Sequence, residues 1–488
     1  MPGIDGKSQI RYYEKIIIRR YCVFGRFLGM TKEKTKGNQI TEGIIWQQLL
    51  FFFFPILFGT FFQQLYNAAD AMIVGRFVGK EALSAVGGST SMLTQLIVGF
   101  FVGLSSGASV IVSQYYGAKR PEMVGYAVHT ALMFSIISGV VIMFAGIGLA
   151  PFMLEAMGTP EDVLGLSVIY LRIYFAGIIA NLVYNVGAAI LRAVGDSKRP
   201  LYFLAASCLV NIALDILLVV FCRLGVVGAA LATILSQLFS AFLVVACLMQ
   251  TKDMHRLVIK ELCLDGRMLK RIIRIGLPAG MQSVMYGLSN VIIQSGINSL
   301  GTNTVAAWAA YSKLDSVFWM MINAFGISVT TFVGQNYGAG KMVRVHRGVR
   351  TCMVMTILAS LGMSFLIYRY GVYGYELFTT DQDVITIGIA MMRYLAPLYV
   401  EYVAIEILSG ALRGVGDCWR PMIISLLGVC VLRVGWILIA VPLKRDIYTI
   451  MFSYPLTWVT TTMLFVIYYL FFGKLKIEKA GKKEAAGE

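Results

Sequence analysis

Residues 191–200 read Leu191-Arg-Ala-Val-Gly-Asp-Ser-Lys-Arg-Pro200, and residues 412–421 read Leu412-Arg-Gly-Val-Gly-Asp-Cys-Trp-Arg-Pro421. Seven of the ten positions are identical, at an offset of 221 residues. A second pair keeps the same offset: Val112-Ser-Gln-Tyr-Tyr-Gly-Ala118 and Val333-Gly-Gln-Asn-Tyr-Gly-Ala339. Two motifs that hold one spacing without a gap mark an internal duplication. The fold therefore depends on what each copy contains.

Each copy is apolar. Hydrophobic residues make up 58% of the 488 and charged residues only 14%, against about 45–50% and 25% in soluble domains. Near-uncharged stretches long enough to cross a bilayer as helices recur along the whole chain. They fall at roughly 46–75, 86–113, 123–150, 163–190, 200–222 and 226–249, then at 275–299, 305–334, 343–368, 384–411, 421–442 and 447–472. The expected fold is all-α and polytopic, with twelve transmembrane helices in two six-helix lobes. The expected divisions are a basic tail (1–42), a first lobe (43–250), a linker (251–274), a second lobe (275–472) and a basic C-terminal tail (473–488).

The net charge of +16 does not point to nucleic acid, because the basic residues cluster in the tails and alternate loops. Those segments hold 32 of the 42 Lys and Arg and the other loops only 6, which predicts both termini in the cytoplasm. Both copies of each motif then lie on the cytoplasmic side. The halves share one topology and are related by an axis along the membrane normal, a transporter architecture with the path between the halves. The N-terminal stretch, with nine Lys/Arg, reads either as a basic amphipathic segment on the membrane surface or as sequence upstream of a start at Met30; the second is preferred.

The repeated loops have a local logic. Gly195 and Gly416 can reverse the chain after a helix, Asp196 and Asp417 can cap or pair with Arg, and Pro200 and Pro421 suit the first turn of the next helix. Their expected role is structural. Gly99, Gly103 and Gly107 make a small-residue stripe suited to close helix packing. The eight cysteines show no metal spacing. No HExxH or phosphate loop is present, which argues against an enzyme and against a bound cofactor.

Ionisable side chains at membrane depth are expensive and are the default functional candidates. Asp70 and Asp215 stand out in the first half. Asn211 lies four residues before Asp215, and Tyr66 four before Asp70, so each pair shares a helical face. Desolvation disfavours the charged form of a carboxylate in general, which is the chemistry of a proton site. With Asn and Thr oxygens the same set suits sodium. The bland alternative is a polar clamp between helices 1 and 5. At the repeat offset, Asp70 and Asp215 become Val291 and Trp436, whereas Asn185 becomes Glu406. Glu401, Gln282 and Arg433 are further polar residues in second-half spans, as are Lys313 and Asp315. Pro55 removes a backbone hydrogen bond in helix 1 and permits either a hinge or a passive kink.

The two Leu-Arg-x-Val-Gly-Asp loops, Phe332-Val-Gly-Gln-Asn-Tyr-Gly-Ala339, and Pro55 with Asp70-x-x-x-Val-Gly-Arg-Phe77 resemble the multidrug and toxic compound extrusion (MATE) transporters. The resemblance is nearest to their DinF-like branch and runs from about Thr41 to the end of helix 12. It implies a two-lobed, monomeric antiporter in a prokaryotic cytoplasmic membrane. Such a protein expels organic cations in exchange for protons or sodium. The resemblance implies a cation site at Asp70, Asn211, Asp215 and Thr233, with Tyr66 and Asn185 as neighbours and Pro55 as the bend in helix 1. If sodium is the ion, the first four would be its ligands. Glu406, Glu401, Arg433 and Gln282 are the expected substrate contacts. The NorM-like branch keeps an acid in helix 7 that is absent here. The rival reading is a lipid-linked oligosaccharide flippase of the same superfamily, which needs cations to meet pyrophosphate; only Arg433 and Lys313 offer them.

Overall fold

A computed structural model describes residues 39–376, 379–473 and 475. Met30, the N-terminal basic stretch and most of the C-terminal basic tail lie outside the described residues. Helix accounts for every regular element among the described residues. In chain order the helices are α1 (Ile45–Phe77), α2 (Lys80–Gly117), α3 (Pro121–Ala156) and α4, which is Glu161–Ala176 followed after a 50° bend by Ile178–Ala193. They continue as α5 (Lys198–Phe221) and α6 (Gly225–Gln250), then α7 (Gly266–Asn298). The remainder are α8 (Thr302–Gly338), α9 (Met342–Glu376), α10 (Gln382–Gly414), α11 (Trp419–Leu443) and α12 (Ile447–Phe472).

Ten of these helices are long and apolar enough to cross a membrane, or eleven with the bent α4 as one span. In hydrocarbon a helix satisfies its own backbone, which is why long apolar runs adopt it. α7 is the exception: it has 33 residues, but Gln282, Ser283, Ser289, Asn290 and Gln294 interrupt its apolar character. It also begins at Gly266, nine residues before the expected start at 275. Asp265 accepts a hydrogen bond from the Met268 amide at 2.7 Å, an N-cap that lets the basic residues Arg267, Lys270, Arg271 and Arg274 form the first turns. The outer faces of the bundle carry exposed Phe51, Phe144, Phe152, Leu209 and Ile439, as a surface facing lipid requires. The chain is a multi-pass membrane protein.

The repeated loops end α4 and α10 in the same way. Gly195 and Gly416 take φ of +99° and +79°, a conformation open to glycine and costly for other residues. Asp196 N–H donates to the Leu191 carbonyl and Gly195 N–H to Arg192, at 2.9 and 3.0 Å; Asp417 and Gly416 repeat this with Leu412 and Arg413, at 2.9 and 2.8 Å. This is the Schellman closure of a helix end.

Those loops also tie the two halves together. The Gln114 side chain, on α2, donates to the Gly414 carbonyl at 2.8 Å. Gln335, on α8 and 221 residues later, donates to the Ala193 carbonyl at 2.7 Å. Each glutamine of one motif pair thus binds the third residue of the other motif, at a helix end in the opposite half. At this crossing a Cβ on Gly117 would lie 2.0 Å from the Gln335 oxygen, and one on Gly338 would lie 1.9 Å from the Gln114 oxygen. Only glycine permits such an approach.

Two seams join the halves beyond this crossing. The α2–α7 seam is the longer. The stripe in α2 explains it: Cβ atoms on Gly99, Gly103 and Gly107 would meet Ser283 Oγ at 2.6 Å, Gly280 N at 2.5 Å and Ile272 O at 2.3 Å. The α1–α8 seam is shorter. Leu49, Phe52, Phe53 and Ile56 of α1 enter the core beside α8, with Phe53 stacked on Phe325 at 4.1 Å between centroids. Past it, α1 exposes Phe58, Phe61, Gln63, Gln64, Leu65 and Asn67. The closest backbone approaches between the halves lie at the end that carries the basic loops.

Candidate functional site

α1, α4, α5 and α6 meet around Asp70 and Asp215. Asp215 and Asn211 have no exposed surface, and Asp70 is 7% exposed. Asp215 is the last α-helical residue of α5 before a π-helical turn, Ile216–Phe221. Such turns widen a helix locally and frequently mark functional positions. The two carboxylates are near enough for their charges to interact. Tyr66 and Tyr170 lie beside Asp70 and Thr233, and the Thr233 hydroxyl donates to the Ala229 carbonyl at 3.0 Å. Tyr174 lies beside Gln237.

The carboxylates themselves are left bare by the protein. Both oxygens of Asp215, Oδ1 of Asp70 and both side-chain polar atoms of Asn211 are buried without a hydrogen-bond partner. Leaving a buried polar atom unpaired costs about 1–3 kcal/mol each, so five in one place call for an account. A proton supplies the missing donor. A monovalent cation supplies the missing charge to a donor set of two carboxylates, an amide oxygen and a hydroxyl. A multivalent metal fits less well: among the described residues no group of three or more His, Cys, Asp or Glu could hold one.

Tyr66, Asp70, Asn211, Asp215 and Thr233 therefore come together. Asn185 is tied elsewhere: its amide donates to the carbonyl and side-chain oxygens of Asn181, 2.9 Å each. Sequence reasoning did not single out Tyr170, Tyr174 or Gln237. The four-residue spacing of the two tyrosines is the signal that was available, but no carboxylate stands beside them to draw attention to it.

The second half holds a cavity of about 400 Å³ between α7, α8, α10, α11 and α12. Its wall is aromatic, with Trp308, Trp319, Tyr402, Tyr454 and Trp458, and it carries two charges, Asp315 and Arg433. Of the four expected substrate contacts only Arg433 lines it. Gln282 reaches the wall through Tyr286, whose hydroxyl accepts from its amide at 3.0 Å. Glu406 is turned against Gly326, where a Cβ would lie 2.1 Å from its carboxylate. Glu401 is half-buried with Oε2 unpaired, outside the cavity wall. Asp315 is a polar residue of its span that was not among the expected contacts, although Tyr311 and Trp319 flank it at four-residue spacing and both donate to it, at 3.3 and 2.6 Å. At the repeat positions, Trp436 donates to the Thr449 carbonyl at 2.8 Å, so the site at Asp215 has no copy here.

The family model MatE matches this chain in two segments, residues 55–217 and 278–438. Their starts lie 223 residues apart and their ends 221, close to the interval of the repeated motifs. The Bacillus subtilis (strain 168) protein named "Probable multidrug resistance protein YoeA" is 29% identical over 92% of this chain and 97% of its own length. "Probable multidrug resistance protein YpnP" of the same organism is 31% identical over 82% of this chain and 89% of its own. A solved structure described as the outward-facing conformation of a multidrug resistance MATE family transporter of the MOP superfamily superposes with a TM-score of 0.83 at 23% identity. It covers 90% of this chain and 98% of that one.

Proposed function

The chain belongs to the MatE family, and on that premise we propose that it is a secondary active antiporter that exports small organic cations in exchange for protons or sodium. We assign it to the DinF-like branch, with twelve transmembrane helices in two six-helix lobes and both termini in the cytoplasm of a prokaryote. It works as a monomer. The observation that carries the coupling is the cluster of unpaired buried atoms at Asp70, Asn211 and Asp215. A site that a protein leaves short of a proton or cation is one that a proton or cation can drive.

The mechanism follows from the two seams. An ion entering from outside screens the Asp70–Asp215 pair and changes how α1 packs on α5. Pro55 stands within the stretch of α1 that packs beside α8, and Asp70 lies 15 residues further on, about 22 Å along an ideal helix. A bend at Pro55 moves the ion-bearing half of α1 while its first turns stay docked. Ion release inward requires the opposite state, in which the Gln114 and Gln335 ties open. The ion can shift these states only through its differential affinity for them. A flippase of lipid-linked sugars needs several cations along its path, and Arg433 alone lines the second-half cavity among the described residues.

The test is ethidium efflux from vesicles under separately imposed proton and sodium gradients, with Asp70→Asn and Asp215→Asn alongside. One gradient is expected to drive efflux, and both variants are expected to lose it. Efflux coupled to either gradient in both variants would remove the site.

A further inference from the structure

We propose that the second-half cavity is a binding site for an aromatic zwitterion, with the ligand's carboxylate held by Arg433 and its cationic end turned to Asp315. This rests on the reading of the chain as a transporter of small molecules, and it changes the substrate class expected at this site.

Arg433 is 5% exposed and lines the cavity. It donates to Thr457 at 2.8 Å and lies over the Tyr454 ring at 4.2 Å, yet its Nε has no acceptor. The ion pairs found among the described residues all lie elsewhere. A buried guanidinium without an acid is a strong site for a planar carboxylate, because the fork of donors matches both oxygens.

Asp315 faces the same cavity with its oxygens supplied by neutral donors: the hydroxyls of Tyr311 and Tyr399 and the Trp319 indole. These donors hold the carboxylate in place and leave its charge uncompensated. Asp315 and Arg433 form no ion pair with each other, so the wall carries two opposite charges held apart. Between them are aromatic rings. Trp308 and Tyr454 lie 6.2 Å apart, and Trp319 and Trp458 lie 6.3 Å apart, at 47° and 66°. A cavity of about 400 Å³ falls within the ~300–1,000 Å³ of sites that take drug-sized molecules. A ligand with a flat ring system and a charge at each end completes both charges at once. A simple organic cation meets Asp315 and is repelled by Arg433.

The experiment uses the full chain in nanodiscs and two rhodamine dyes that differ only in one group: a free carboxylate or its methyl ester. Binding is read at equilibrium, without a gradient, by dye polarisation and by quenching of tryptophan emission. The acid is expected to bind wild-type protein roughly tenfold tighter or more, the scale of one buried charge partner. Arg433→Gln should bring the two dyes to equal affinity without weakening the ester, and Arg433→Lys should keep part of the preference. Asp315→Asn should weaken both dyes, since both carry the ring cation. An ester that binds wild-type protein as tightly as the acid overturns the proposal, and that comparison needs no variant to fold. A preference that survives Arg433→Gln, or affinities unchanged in Asp315→Asn, also overturns it. Asp215→Asn should keep the preference. Wild-type protein that shows the preference but no gradient-driven efflux would count against the transport reading alone, and wild-type efflux without the preference against this proposal alone.

Discussion

Asp215 ends a run of α-helix, has no exposed surface and meets no protein donor. A residue kept for stability would be paired; this one costs stability and is best explained by what it binds. Asp215→Leu should therefore hold or raise the thermal midpoint of the purified protein, since an apolar side chain removes an unpaired buried group worth about 1–3 kcal/mol, and should abolish gradient-driven efflux. A fall in the midpoint would show that Asp215 is a structural clamp. The identity of the residues around it was legible from their types and four-residue spacing. What spacing could not supply was which helices meet. Tyr170 joins the site because α4 packs beside α6, and the Asn185 amide is taken up by Asn181 one turn back in its own helix. Glu406 attracted attention as a charge in a span, but Gly326 gives it a niche of its own. The 221-residue correspondence fails at the carboxylates that the structure leaves without partners: Asp70 against Val291, Asp215 against Trp436.

At the scale of helices, the repeated motifs proved to hold more than their own loops. Gly195 and Gly416 close α4 and α10 as their residue types predict. The glutamines of the second motif pair cross to the opposite half, and this was not legible, because a reciprocal contact between Gln114 and Gly414 involves positions 300 residues apart. Each tie contributes about 1 kcal/mol. Gln114→Ala with Gln335→Ala should accelerate hydrogen exchange at residues 110–118 and 331–339 in the absence of substrate; unchanged protection would mean that the glycine crossing alone holds the seal. The stripe in α2 makes a sharper case. Gly103→Leu would drive a side chain into the Gly280 backbone, and a loss of folded protein on gel filtration is expected, while Gly125→Leu, with open space around it, should be tolerated. The linker adds a pH effect. Burial pushes the His255 imidazole below its ordinary value, against the pull of Asp253 at 3.6 Å. The unfolded linker then binds the proton more readily than the docked one. Docking is favoured above about pH 6.5 and weakens as pH falls below it. Hydrogen exchange across 251–265 should quicken on acidification, and His255→Gln should flatten that response.

For the whole molecule, the all-helical, multi-pass architecture could be read from apolar run lengths, because the bilayer imposes one length and one satisfied backbone on every span. α7 departs because its polar residues face protein and cavity more than lipid. The direction in which the bundle opens was not readable, since both states share one sequence. In this structure a long α2–α7 seam, a short α1–α8 seam and the close approaches at the basic end join the halves. Phe53→Cys with Phe325→Cys, in a chain freed of its native cysteines, should form a crosslink that stops efflux until it is reduced; efflux at full rate with the crosslink intact would contradict alternating access through that seam. The most direct measurement is uphill against downhill flux of ethidium in proteoliposomes, for wild type, Asp70→Asn and Asp215→Asn. The account predicts that wild type accumulates dye against its gradient when one ion gradient is imposed, and that both variants only equilibrate it. Uphill accumulation by both variants would contradict the claim that this pair couples the ion to transport.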